Sequence, residues 1–311
     1  MKDSWPRIPY SEWRETCTAL HLWSQIVGKY RLAHAPWVNH SWHATFYVTS
    51  RGLTTGPVGD GARSVTLSFD FCDHVLLVET DGCERAVVPL EPMSVADFFS
   101  RARKAIAEVG GTPVLNGKPN ELAEAVPFAE NVAERPYDGD AVRRFHRALL
   151  SVADVFGHFR TGFLGKVSPV HLFWGSFDLV VTRFSGRRAP LHPGGIPNLP
   201  DEVTREAYSH EVSSAGFWPG GFGADEAMFY SYAYPTPAGF ADHKVEPTEA
   251  FFDKNLGEFL LPYDAVRQSA APEQTLLRFL QSTYRAAAEA EGWNRSELES
   301  ELGMPRLPRQ I

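Results

Sequence analysis

The feature that most constrains the fold is an order of secondary structure that occurs twice along the chain. A helix at 11–34, four strands and a helix at 94–109 come first; a helix at 139–162, further strands and a helix at 273–291 follow. Apolar residues at three- and four-residue spacing predict the helices, and alternating apolar and polar residues predict the strands. The repeated order indicates two similar α-ββββ-α halves.

Short sequence similarities support the repeat. Gly28-Lys29-Tyr30-Arg31 recurs as Gly157-His158-Phe159-Arg160, and YVTSRG at 47–52 has a looser counterpart, VVTRFSG, at 180–186. The alternative is coincidence between two common helix-strand patterns. If the halves are related, their antiparallel sheets would pair beneath a layer of helices, which is an α+β arrangement.

The boundaries follow from composition. Residues 1–111 form the first half and 139–311 the second, and the two halves together form one compact unit. Residues 112–138 contain four prolines and are interpreted as an irregular linker. The predicted strands lie at 42–51, 64–71, 75–80 and 86–88 in the first half, and at 169–183, 207–214, 227–234 and 257–262 in the second.

Charge and cysteine content exclude several classes of function. The net charge is −8 and the pI is about 5.8, whereas phosphate binding usually requires a basic face. No apolar run approaches the roughly 20 residues of a membrane helix, and the first residues lack a secretory signal. The three cysteines form no C-x-x-C pair, as is typical of a reducing compartment. We therefore expect a cytoplasmic protein with a small-molecule ligand and no nucleic-acid or membrane partner; the oligomeric state stays open.

Histidines at matching places in the two halves suggest a metal site. His40 precedes the first strand, beside His43, and His171 has the corresponding position in the second half. With either His210 or Glu211, they would provide the several converging ligands that a divalent metal requires. The ligands would come from distant parts of the chain, so their spacing gives only weak support.

Strand geometry separates His210 from Glu211. Adjacent residues on a strand point to opposite faces, so both can face one pocket only if the strand bulges there. Glu211 lies between Ser209 and Ser213, which leaves more room for a ligand. His210 has Tyr and Val neighbours on its own face, and a packed core histidine is an equal alternative to a ligand.

Asp178 is predicted to be a buried acid, because apolar residues flank it. A buried carboxylate requires a partner, and Arg183 or Arg31 would serve. In an unbroken strand, Asp178 shares a face with Trp174, and His171 lies on the opposite face with Arg183. A structural ion pair and a general base with a shifted pKa are both open interpretations.

Aromatic residues supply candidate walls for a ligand. They make up 13% of the chain, and aromatic rings often line pockets as well as cores. Trp174 and Trp218 would form a hydrophobic clamp, and Tyr230 shares one strand face with Tyr232 and Tyr234. Arg31 would hold an anionic group.

The chain resembles a bacterial family that is known only as a domain of unknown function. The resemblance rests on LHLWSQIVGKYRLA, VNHSWHATFYVTSRGLTTGP, SPVHLFWGSFDLVVTRFSGR, HPGGIPNLPDEVTREAYSHEVSSAGFWPGG and GEFLLPYDAV. It spans nearly the whole chain. It implies a free-standing module of about this length, with no assigned activity, cofactor or site, and it favours His40 over His43.

Two functions remain open. Clustered polar groups in a cleft favour an enzyme that acts on a small polar or aromatic molecule, with Glu211, Asp178 and Arg183 as catalytic residues. A metal held by His40, His171 and His210 would make it a hydrolase or an oxidoreductase; without metal, the site would perform general acid-base catalysis. The alternative is a non-catalytic binding or sensing protein, in which the same residues form a buried polar network.

Overall fold

The structure, a computed structural model, describes residues 4–221 and 225–309. Its class is α+β, as the sequence predicts. The helices in the described residues are α1 (Tyr10–His34), α2 (Val95–Glu108), α3 (Gly139–Thr161), α4 (Asp201–Ala207), α5 (Tyr263–Arg267), α6 (Pro272–Ala290) and α7 (Arg295–Leu298). Of these helices, none has the length and apolarity needed to cross a membrane.

Thirteen strands are present in the same ranges. They are β1 (Thr45–Val48), β2 (Gly52–Asp60), β3 (Arg63–Asp70), β4 (Val75–Thr80), β5 (Arg85–Pro89), β6 (Met93–Ser94), β7 (Glu134–Arg135), β8 (His171–Phe173), β9 (Asp178–Arg188), β10 (His210–Trp218), β11 (Met228–Tyr234), β12 (Phe251–Asp253) and β13 (Glu258–Pro262).

Eleven of these strands form one antiparallel sheet in the order β12-β13-β11-β10-β9-β8-β1-β2-β3-β4-β5, and β6 pairs separately with β7. The first strands of the two halves, β1 and β8, pair with each other at the centre of the sheet. There Thr45 pairs with Phe173 and Phe46 with Leu172. The strands of both halves therefore belong to one continuous sheet.

The four long helices lie where the periodicity predicts them. Helix α2 begins as expected, because the Ser94 hydroxyl accepts a hydrogen bond from the Asp97 amide at 3.0 Å. Helix α1 is unusually enclosed, and every residue from Ala19 to Tyr30 is buried. It therefore packs on several sides rather than along a single apolar stripe.

Three predicted strands were wrong in their extent. The strand at 207–214 is β10, which begins at His210 and ends at Trp218, because α4 extends to Ala207. The strand at 42–51 is only β1, and the unpredicted β2 follows it. Sequence propensity does not predict β2, because glycine and proline are depleted in strands. This strand contains four such residues: Gly52, Gly56, Pro57 and Gly59. The strand at 169–183 is a tight hairpin of β8 and β9, which turns at 174–177.

The two faces of the sheet are covered differently. Helices α1, α2, α3 and α6 pack on one face and form the main apolar core. On the other face, the first half is open, and Val87 of β5 is 46% exposed. The second half is covered there by the segment before β10, where His192 stacks on Tyr208 at 4.8 Å. This covered face holds the candidate site.

Candidate functional site

Strand register places a row of polar and aromatic residues on the covered face. Gly216 of β10 lies between Val180 of β9 and Tyr230 of β11. Because alternate residues share a face, Asp178 lies on the same side as Val180, and Trp218 and Tyr232 lie on the same side as Gly216 and Tyr230. The hairpin also brings His171 and Asp178 to one face, whereas an unbroken strand would separate them.

Tyr230 and Asp178 form the centre of the site. The Tyr230 ring lies flat across Gly216, where any β-carbon would overlap it. Its hydroxyl donates a hydrogen bond to Asp178 Oδ2, and the Ser176 hydroxyl donates to Asp178 Oδ1 at 2.5 Å. Asp178 is 6% exposed, and burial raises the pKa of its carboxyl. These hydrogen bonds partly compensate for that burial.

A series of stacked rings continues from this pair. Trp218 stacks on Tyr230 with centroids 4.8 Å apart, and Tyr230 stacks on Tyr232 at 6.0 Å. The Tyr232 and Tyr208 hydroxyls share a hydrogen bond of 2.7 Å. Burial raises the pKa values of Tyr230 and Tyr232 well above the ordinary tyrosine value. Their hydroxyls are therefore neutral and able to donate hydrogen bonds.

Helix α1 contributes a buried cation. The Lys29 ammonium donates to the side-chain oxygen of Asn120 and lies 5.4 Å from the centroid of the Trp174 ring. Trp174 packs directly on Gly28, where a β-carbon would overlap the indole. Burial lowers the pKa of Lys29 to about 8, although the nearby Glu121 carboxylate opposes the shift.

Glu121 reaches the site from the segment between the halves. Its carboxyl lies against Gly175 in the hairpin turn, so closely that a side chain there would overlap it. Burial, with the neighbouring Asp178 carboxylate, raises the pKa of Glu121 to about 7. The backbone of Glu121 has a φ of 62°, a costly conformation for a residue with a side chain.

Two loops close over these groups: residues 112–127 and 189–200, here called the covering loops. The Glu121 amide donates to the Pro197 carbonyl at 2.9 Å. The Asn198 side chain donates to the Leu122 carbonyl at 2.7 Å, and Asn120 donates to the Asn198 carbonyl. These bonds fix the loops to each other, so Glu121 is held in place by both.

Three buried polar atoms around the site have no hydrogen-bond partner among the described residues: Trp174 Nε1, Trp218 Nε1 and Glu258 Oε2. Burial is the main cause that raises the pKa of Glu258 to about 8, and the Asp178 carboxylate adds to it. Buried polar groups are normally paired, and each exception requires an explanation. A polar ligand beneath the covering loops would satisfy such groups.

The structure brings together four residues that the sequence singled out: Asp178, Trp174, Trp218 and Tyr230. Sequence reasoning missed three others, Glu121, Tyr208 and Glu258. Glu121 lies in an irregular segment that carries no periodic signal. Tyr208 lies just before β10 and Glu258 lies in β13, and the pairing of these strands cannot be read from the sequence.

Neither arginine that was expected to pair with Asp178 does so. Arg183 points to the opposite face of the sheet, where its Nη2 donates to the Phe159 carbonyl at 2.5 Å. Arg31 donates to the Thr45 carbonyl. Arg183 lies five residues after Asp178 in β9 and therefore faces the opposite side of the sheet. Tyr230 takes the place predicted for an arginine.

The predicted metal ligands do not converge. His40 and His210 have ring centroids 6.2 Å apart, but His171 packs on Phe173 instead and is fully buried, and burial lowers its pKa to about 3. His40 donates to the Ala207 carbonyl and accepts from Lys166, so both ring nitrogens are occupied. Within residues 4–221 and 225–309, no three His, Cys, Asp or Glu side chains are placed to hold a metal ion.

Glu211 lies in a separate cluster. It accepts hydrogen bonds from Ser185 at 2.7 Å and from Arg187 at 2.8 Å. Burial and the Glu211 carboxylate raise the pKa of Glu291 to about 7. The β9–β10 register is irregular between His210 and Val212, yet His210 and Glu211 still join different groups.

A family model matches residues 5–300, nearly the whole chain, and is described as a family of unknown function, DUF5996. The chain belongs to this family. The comparison with curated proteins finds no match, and neither does the comparison with solved structures. The family assigns no chemistry, so a function must be argued from the site itself.

Proposed function

We propose that the protein is an enzyme that performs general acid-base chemistry on a small polar or aromatic molecule, bound beneath the covering loops. The observation that carries this proposal is the convergence of Asp178, Glu121 and Glu258, all with raised pKa values, on one aromatic surface. Perturbed carboxyl groups concentrate at active sites, because catalysis requires pKa values near the working pH.

Asp178 and Glu121 are the proposed proton-transfer pair. Burial and the Asp178 carboxylate disfavour ionisation of Glu121, whose pKa is raised to about 7, so Glu121 is assigned as the acid. Asp178, which accepts hydrogen bonds from Tyr230 and Ser176, is assigned as the base. Tyr230 orients Asp178 through its hydrogen bond.

Substrate recognition follows from the remaining groups. Trp174 and Trp218 provide flat apolar walls, and their unpartnered indole N–H groups would donate to oxygen atoms of the substrate. Lys29 would hold an anionic or carbonyl oxygen. These contacts suit a small ring or sugar-like molecule with several oxygen atoms.

A non-catalytic binding or sensing role is the second candidate. The observation in its favour is that several polar groups already bind one another, as in the Tyr208–Tyr232 and Tyr230–Asp178 hydrogen bonds. Such a network can serve recognition without proton transfer.

The test uses Asp178→Asn and Tyr230→Phe, with Glu211→Gln as the matched control because Glu211 belongs to a separate cluster. Purified protein is incubated with a library of small polar and aromatic metabolites, and compound consumption is followed by mass spectrometry. A lost acid or base typically costs about 10²–10⁴-fold in rate, so Asp178→Asn should abolish turnover that Glu211→Gln retains.

Ligand binding separates the two candidates. Thermal shifts with the same library identify molecules that stabilise the fold. Binding without turnover in the wild type would support the sensing role. Equal turnover in the wild type and in Asp178→Asn would show that the proposed site is wrong.

A further inference from the structure

A cavity of about 190 Å³ lies on the helical side of the sheet, near the ends of α3, α6 and α7. It is separate from the acid-base site because Arg183, in its wall, projects from the opposite face of β9. Residues that line it include Arg183, Tyr284, Arg285, Arg295, Glu299 and Ser300. Hydrogen-bond donors therefore dominate this wall.

Arg183 is the most deeply placed of these donors. It is 4% exposed, and its guanidinium lies between two rings, 3.6 Å from the Phe159 centroid and 4.3 Å from that of Tyr284. One nitrogen bonds the Phe159 carbonyl, and Nε has no partner among the described residues. Burial lowers the pKa of Arg183 to about 10. A buried guanidinium normally requires an acceptor for each donor.

The other two arginines of the wall differ in their pairing. Arg295 donates to two carboxylates, to Glu299 at 2.6 and 3.2 Å and to Glu289 at 2.7 Å. Arg285 is exposed, and no carboxylate of residues 4–221 or 225–309 lies within ion-pair distance of it or of Arg183. The nearby Glu299 carboxylate and Tyr284 partly oppose the lowering of the Arg183 pKa. Three arginines and one glutamate therefore face one cavity, in a chain whose net charge is −8.

The carbonyl groups at the C-terminal end of α3 do not neutralise these arginines. Its terminal carbonyls are already bonded: Arg309 donates to Thr161, and the Ser300 amide donates to Gly162 at 3.3 Å. Only the Phe159 carbonyl accepts from Arg183. Among residues 4–221 and 225–309, Arg183 Nε therefore still has no acceptor.

We propose that this cavity binds the phosphate group of a small molecule. Arginine forks match the oxygen geometry of phosphate and form charge-assisted hydrogen bonds with it. The phosphate would lie between Arg183 and Arg285, and Ser300 would donate from the C-terminal segment. The inference does not depend on the acid-base function, since the two sites use different faces of the sheet.

Inorganic phosphate is the probe, with sodium chloride at equal ionic strength as the salt control. Wild-type protein should show a saturable rise in Tm that chloride does not reproduce. Arg285→Gln should raise the apparent Kd for phosphate at least about tenfold, as expected when one charge-assisted contact is removed. Arg285 is exposed, so this variant should fold.

Arg101→Gln is the matched control, because Arg101 is also an exposed helical arginine, paired with Glu91 at 2.7 Å. It should bind phosphate like the wild type. Phosphate should also slow hydrogen exchange at 298–304 in the wild type but not in Arg285→Gln, which locates the site. A phosphate effect equal to that of chloride, or equal in the wild type and Arg285→Gln, overturns the proposal.

Discussion

At the residue scale, the covered face holds three carboxyl groups whose ionisation is disfavoured. Glu121, Asp178 and Glu258 lie near one another, and burial is the main cause that raises the pKa of each. Full ionisation of all three would place like charges together in a poorly solvated region. The folded protein therefore binds protons there more tightly than the unfolded chain does, which makes stability depend on pH.

Glu258→Gln tests this pH dependence. Folding raises the pKa of Glu258 from 4.5 to about 8. The protonated side chain therefore stabilises the folded state fully below pH 4.5, and this contribution to the free energy of unfolding is lost as the pH rises to about 8. Wild-type unfolding free energy should fall across that window. The unfolding free energy of the variant should fall less over the same pH range. At pH 8.5 the variant should be more stable than the wild type by on the order of 1–2 kcal/mol after allowance for solvent screening.

Urea unfolding at a series of pH values measures this difference. Glu134→Gln is the control, since Glu134 is exposed on β7, and its profile should follow that of the wild type. Parallel pH profiles for Glu258→Gln and the wild type would contradict a raised pKa at this position.

At the scale of elements, helices were predictable from sequence and strand pairing was not. The periodic apolar spacing gives α1, α2, α3 and α6 almost to the residue. The hairpin at 174–177 has too little turn chemistry to be recognised, because Phe177 supplies the positive φ that glycine usually provides. That one turn places His171 on the same face as Asp178, whereas an unbroken strand would separate them.

The candidate site was predictable only in part for the same reason. Asp178, Trp174, Trp218 and Tyr230 lie in strands or beside them, where an acid or a large ring among apolar residues is conspicuous. Glu121 comes from an irregular loop and meets the hairpin only through folding. No local pattern reports a contact between residues so distant in the chain.

Two glycines at matching places of α1 and α3 give a prediction at this scale. Gly28 supports the Trp174 ring, whereas nothing lies within 4 Å of a β-carbon at Gly157. Gly28→Ala should destabilise the protein by about 1–3 kcal/mol through overpacking. Gly157→Ala should stabilise it by about 0.5–1 kcal/mol, because alanine favours helix.

Thermal unfolding and tryptophan fluorescence distinguish these effects. Gly28→Ala should lower Tm and change the emission of the displaced indole, whereas Gly157→Ala should raise Tm without a spectral change. If both variants changed stability in the same direction, the close contact between α1 and Trp174 would not be the cause.

At the scale of the whole molecule, the two halves are interlocked. Helix α1 of the first half reaches the hairpin of the second, where His21 donates to the Gly175 carbonyl at 2.8 Å. Helix α3 of the second half reaches the first, where His146 donates to the Thr49 carbonyl at 2.8 Å. With the central β1–β8 pair, these contacts favour one cooperative unit. The duplication itself stays a prediction.

Phe69→Ala tests whether that unit is cooperative. Phe69 is 1% exposed in β3, and its truncation should cost about 3–5 kcal/mol. In a single cooperative unit, this loss lowers the free energy of global opening everywhere. Hydrogen exchange should therefore accelerate by the same factor in β3 and in β11, which lies in the other half. Faster exchange confined to the first half would show that the halves unfold independently, despite sharing one sheet.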